Sequence, residues 1–149
     1  MHARDICLDG FGRVREGVGR VLQGLTPEQL AFRPDEESNS MAWLIWHLTR
    51  VQDDHVADVA GEEQVWLKAG WSKRFDLALA PEDTGYGHQP KDVEQVKAGA
   101  EELRGYHEEV FAQTVKFLEG LEAKDFDRIV DERWDPPVTL GVRLVSVIS

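Results

Sequence analysis

Apolar residues recur at three- and four-residue spacing through most of the chain, the pattern of helices packed on one face. Between Ala3 and Leu25 they fall at Ile6, Phe11, Val14, Val18, Val21, Leu22 and Leu25, which predicts a first helix. Gly10, Gly12, Gly17 and Gly19 lie inside it. Each costs up to ~1 kcal/mol against alanine, and close packing against a neighbour would explain them. Thr26 as a cap with Pro27 at the first position predicts a short turn before Arg33-Pro34.

The second helix is the clearest. It runs from Met41 to about Val59, capped by Asn39 or Ser40 and stopped by Gly61, with Met41, Leu44, Ile45, Leu48 and Val51 as its apolar stripe. A third begins at Lys91 or Asp92 and reaches about Leu121, its stripe running through Val93, Val96, Ala100, Leu103, Val110, Phe117 and Leu121. Thr139 caps a fourth, with Leu140, Leu144, Val147 and Ile148 on one side. Residues 61–91 lose the periodicity but keep Trp66, Trp71 and Tyr86, so they read as a long loop packed over something. Asp125–Arg133 reads as a short polar element, and Trp134-Asp135-Pro136-Pro137 breaks the chain. No strand alternation and no internal repeat is visible.

These elements predict one all-α domain over 1–149, a four-helix bundle. At ~1.5 Å per residue the second helix spans roughly 28 Å and the fourth only about 15 Å. Bundle partners run alongside one another, so the last helix is expected to be truncated at Ser149.

Composition narrows the function. The 149 residues include 28 acidic and 17 basic side chains, a formal net charge of −11. The basic residues are scattered, so neither nucleic acid nor an anionic membrane surface is an expected partner. A lone Cys7 makes no internal disulfide. The N-terminus MHARDICLDG carries charges where a signal peptide needs an apolar run, and no window approaches ~20 apolar residues. A cytoplasmic location is the expectation.

Among five histidines, His47 stands out. It lies three residues after Leu44 and four before Val51, at or beside the buried stripe. It reads either as a core-edge histidine with one hydrogen bond or as a metal ligand pointing into the bundle. His55 sits eight residues on, a rise of about 12 Å, too far for both rings to share an ion. It reads as a helix-end surface residue beside Asp53, Asp54 and Asp58. His107, between Leu103 and Val110, reads as a core or boundary residue, or less simply as an inward ligand. His88, near Tyr86, could close over a site, and His2 is expected to be disordered. Cys7 lacks an activating base, and no CxxC, HExxH or phosphate-cradling loop is present.

The runs NSMAWLIWHLTRVQDDHVADVAG, GWSKRF, DTGYGH and WDPPVTLGVRLVSVIS, which together cover nearly the whole chain, resemble the DinB/YfiT-like superfamily. Within it the chain is most similar to an actinobacterial branch of unknown function, near mycothiol-dependent transferases and maleylpyruvate isomerase. The resemblance implies a four-helix bundle holding a divalent metal, zinc or nickel, through three residues. His47 takes the place of the ligand on the second helix. The other two are expected on the last helix, at positions beyond Ser149. It further implies a metal-dependent transferase joining a low-molecular-weight, mycothiol-type thiol to an electrophile, and a homodimer. A coordinated thiol is deprotonated at neutral pH, which suits the chemistry. Trp43, Trp71, Tyr86 and Arg143 are the expected pocket residues. The alternative is a non-catalytic, metal-binding or stress-associated bundle.

Overall fold

In a computed structural model covering residues 1–149, three 20-residue helices carry the architecture: α1 (Ala3–Leu22), α3 (Met41–Ala60) and α7 (Ala100–Glu119). Between them lie α2 (Pro27–Ala31), α4 (Val65–Lys68), α5 (Trp71–Phe75) and α6 (Pro90–Val93). A 3-10 turn at Ala123–Asp127 then leads to two short strands, β1 (Ile129–Asp131) and β2 (Val138–Thr139), and α8 (Leu140–Ile148) packs against α1 and α3. The chain is all-α apart from this ribbon. No helix is long and apolar enough to cross a membrane.

The helix starts follow from capping chemistry. Ser40 Oγ accepts the Trp43 amide at 3.0 Å, so Ser40 rather than Asn39 caps α3. Gly61 ends that helix at φ 67°, in the left-handed region. Thr26 and Gln29 form a reciprocal box at α2, and Thr139 Oγ1 accepts from the Val142 amide at α8. His2 stands at the N-cap of α1, its amide donating to Asp5 at 2.9 Å.

Four expectations need correction. α1 stops at Leu22, because Gly24 turns the chain at φ 74°. The expected third helix is two: α6 ends at Val93 and α7 starts only at Ala100, after Gly99. The 61–91 segment is not structureless, since it holds α4, α5 and the first residues of α6. The polar element after the 3-10 turn is a strand, with Ile129 opposite Thr139 and Asp131 opposite Val138 in antiparallel pairing. Strands of three and two residues carry too few positions to show an alternation.

The stripe of α3 also differs. Its buried face is Trp43, Ile45, Trp46, Thr49, Arg50, Gln52, Asp53 and Val56, while Leu44 is 46% exposed. Bulky aromatic and hydrogen-bonded polar groups share the interior with Ile45 and Val56, while Met41 and Leu48 pack at its edge. The larger hydrophobic cluster gathers Val18, Leu22, Trp43, Trp46, Trp66, Trp71, Leu103 and Tyr106 with their neighbours. A smaller one joins Cys7, Phe11, Leu118, Leu121, Phe126, Leu140 and Leu144.

Candidate functional site

α3 and the loop after α5 bring three of the expected residues together. Trp43 and His47, four residues apart on α3, stack with ring centroids at 4.6 Å. Tyr86 meets His47 edge-on at 5.5 Å. The loop sequence DTGYGH supplies the cover. His47 Nδ1 lies 2.5 Å from the Thr84 carbonyl oxygen. A carbonyl only accepts, so Nδ1 carries the proton, and in the neutral ring the lone pair is left on Nε2.

The loop's own conformation is tied down. Trp43 Nε1–H donates to His88 Nδ1 at 3.0 Å. His88 Nε2–H therefore donates to Asp83 Oδ2, at 2.8 Å, and Asp83 Oδ1 accepts the Gly85 amide at 2.8 Å. Burial alone would push the Asp83 carboxyl up. The bonds from His88 and Gly85, with the charge of Arg50, bring it below its ordinary value. Gly85 has φ 99°, and a Cβ there would sit 2.7 Å from His47 Nδ1. Only glycine lets the backbone come this close.

Beneath the loop runs a buried polar network. Arg50, with no exposed surface, donates from Nε to the Asp83 carbonyl and from Nη1 to Gln64 and Tyr106. Its guanidinium also lies over the Trp66 ring, 5.0 Å from the centroid. Asp53 accepts from the amides of Val65 and Trp66, the opening of α4, and from the Tyr106 hydroxyl. Burial raises the Asp53 carboxyl in spite of those bonds. Sequence periodicity passed over these residues because the stripe of α3 was counted on Met, Leu, Ile and Val positions alone.

Trp71 and Arg143 are elsewhere. Trp71 is buried beside Phe75 and Tyr106, with Arg74 over its ring at 3.9 Å. Arg143 sits in a cleft of about 540 Å³ between α3 and the β1–α8 segment, paired with Asp58 at 3.4 Å and Asp131 at 3.6 Å. Asp131 is held well below the usual carboxylate range, chiefly by hydrogen bonds from Arg133. His55 lines the same cleft with its Nδ1 buried and unpartnered, so it is not the surface residue expected. Burial first, then Arg143, lowers its pKa. His107 is a core residue between α3 and α7: its Nδ1 meets Thr49 Oγ1 at 3.0 Å, and burial lowers its pKa to about 4. No group of three or more His, Cys, Asp or Glu in the chain is arranged to hold a metal ion.

A crystal structure of a conserved protein from Enterococcus faecalis superposes with a TM-score of 0.92 at 28% identity, covering 99% of this chain and 88% of that one. No curated protein matches the chain significantly. The sequence profile of the DinB superfamily matches residues 11–148. With the profile spanning nearly every element from α1 to α8, the chain belongs to the DinB superfamily.

Proposed function

We propose that this DinB-superfamily chain is a small-molecule enzyme in which His47 offers Nε2 to a divalent metal, zinc or nickel, and a mycothiol-type thiol is transferred to an electrophile. The observation carrying this reading is the Nδ1–H bond to the Thr84 carbonyl. Metal-binding histidines almost always anchor their second nitrogen in this way, which fixes the tautomer and aims the ring. The aromatic surroundings, Trp43 and Tyr86, suit an apolar portion of a substrate.

The residues present do not by themselves fit a three-ligand centre, since only His47 stands ready in this cluster. The remaining ligands belong, on this reading, to the last helix of the family's fold. α8 advances along α3 in the direction of His47: Arg143 is opposite Asp58, and Ser146 shares a cleft with Asp54 and His55. A divalent ion, when bound, would supply the positive charge that keeps a thiol ionised at neutral pH. The chain's own part is to hold the imidazole still and to cover it with the 83–88 loop.

A specific observation favours the second reading, a non-catalytic bundle. Two of the four expected pocket residues are committed to scaffolding, Trp71 to the core and Arg143 to two carboxylates. Metal analysis of the full-length protein separates the readings. Zinc or nickel near one equivalent in the wild type, lost in His47→Ala, together with mycothiol-dependent consumption of 1-chloro-2,4-dinitrobenzene, is the expected result. Equal metal content in the two proteins removes His47 as a ligand. Retained metal without thiol-dependent turnover leaves the bundle.

A further inference from the structure

We propose that Trp43, His88 and Asp83 form a positioning chain whose purpose is to keep His47 in the Nδ1–H tautomer, with the lone pair on Nε2. The proposal rests on the reading of His47 as the reactive imidazole, but it concerns only this chain's own atoms.

Every role in the chain is forced. An indole nitrogen only donates, and a carboxylate or carbonyl only accepts. Trp43 Nε1–H therefore sets the tautomer of His88, and His88 Nε2–H seats Asp83. Asp83 is then held at three points: by His88, by the Gly85 amide, and through its carbonyl by Arg50 Nε at 3.1 Å. Thr84 lies between Asp83 and Gly85, so its carbonyl is fixed from both sides. That carbonyl meets His47 Nδ1. Turning the His47 ring over would put a C–H against the carbonyl, and the other neutral tautomer would set two acceptors face to face.

Packing enforces the same geometry. His88 stacks on Trp46 at 5.8 Å and His47 on Trp43 at 4.6 Å, so neither ring is free to swing. The Gly85 backbone presses on His47, Trp46 and Trp43 together, an ideal Cβ there lying 2.7, 3.1 and 3.2 Å from them. A histidine released to water favours the Nε2–H tautomer, so the loop inverts the ordinary preference.

The experiment is long-range 1H–15N NMR of the His47 ring above pH 8, in metal-free full-length protein. The wild type is expected to show Nδ1–H. His88→Ala is expected to lower the ratio of Nδ1–H to Nε2–H roughly tenfold, the worth of one ordinary hydrogen bond. His88→Gln is expected to restore it, because an amide can accept from Trp43 and donate to Asp83. Should His88→Ala fold poorly, Asp83→Ala, which removes the acceptors for His88 Nε2–H and the Gly85 amide, serves in its place. An unchanged His47 tautomer in a folded variant overturns the proposal, as does a wild type with Nε2–H. Zinc content is the separate readout. Equal zinc in wild type and His47→Ala with the expected tautomer change defeats the metal reading and leaves the positioning chain standing. Zinc lost in His47→Ala with no tautomer change in His88→Ala does the reverse.

Discussion

Tyr106 donates its hydroxyl proton to Asp53 at 2.7 Å, joining α7 to α3 through a carboxylate that also caps α4. Both groups are buried, Tyr106 without exposed surface and Asp53 at 1%. Asp53→Asn leaves Arg50 without its nearest counter-charge, 3.8 Å away, in the interior. A loss of about 3 kcal/mol is expected, since breaking a buried pair strands the remaining charge. Tyr106→Phe removes one charge-assisted bond and is expected to cost about 2 kcal/mol. Urea unfolding checks both, and equal stability of all three proteins would show the network to be ornamental.

Buried His107 gives the fold a pH dependence of predictable sign. Its pKa in the folded protein is about 4, below the unfolded value of 6.5. Between those values the unfolded chain binds the extra proton, so stability is full above about pH 6.5 and falls toward pH 4. The loss is on the order of 3 kcal/mol. Denaturation midpoints across this range are expected to flatten in His107→Gln.

The glycines predict opposite outcomes for one kind of change. A Cβ on Gly105 of α7 would lie 2.6 Å from the Trp71 ring, whereas one on Gly12 or Gly17 of α1 meets nothing within 4 Å. Gly105→Ala is expected to destabilise by roughly 1–3 kcal/mol through overpacking. Gly12→Ala and Gly17→Ala are each expected to stabilise by up to about 1 kcal/mol through helix propensity. Thermal unfolding of the three variants checks the signs.

Gly85 adds a third case. Its φ of 99° and its contact with His47 leave no room for a side chain. Gly85→Ala is expected to cost about 1–3 kcal/mol and to loosen residues 83–88 locally. Hydrogen exchange at the Gly85 amide, protected by Asp83 in the wild type, reads that loosening directly.

The bundle was legible because its long helices carry strong periods and chemically obvious ends, Ser40, Gly61 and Thr139 among them. The failures share a cause. Counting aliphatic residues along α3 favoured Leu44, Leu48 and Val51, while the fully buried positions include Trp46, Arg50 and Asp53, and the Arg50 Nε and Nη1 and the Asp53 carboxylate find partners in Gln64, α4, α7 and the 83–88 loop. Pairing partners far apart in sequence turn a charge into a core residue, and no local pattern shows them. The same holds at the site. Trp43, His47 and Tyr86 do meet, yet Thr84, Gly85 and His88 owe their roles to backbone geometry that DTGYGH does not display. For Gly12, Gly17 and Gly19 the expected close neighbours are absent; only Gly10 has one on α1, with Ile148 at 3.0 Å.

The smaller hydrophobic cluster contains the chain's one thiol. Cys7 is 5% exposed, and burial pushes its pKa up, so an alkylating reagent finds neither access nor thiolate while α1 and α8 stay packed. Iodoacetamide labelling thus becomes a clock for how often that end of the molecule breathes, with no introduced probe and without unfolding the larger aromatic half that carries His47.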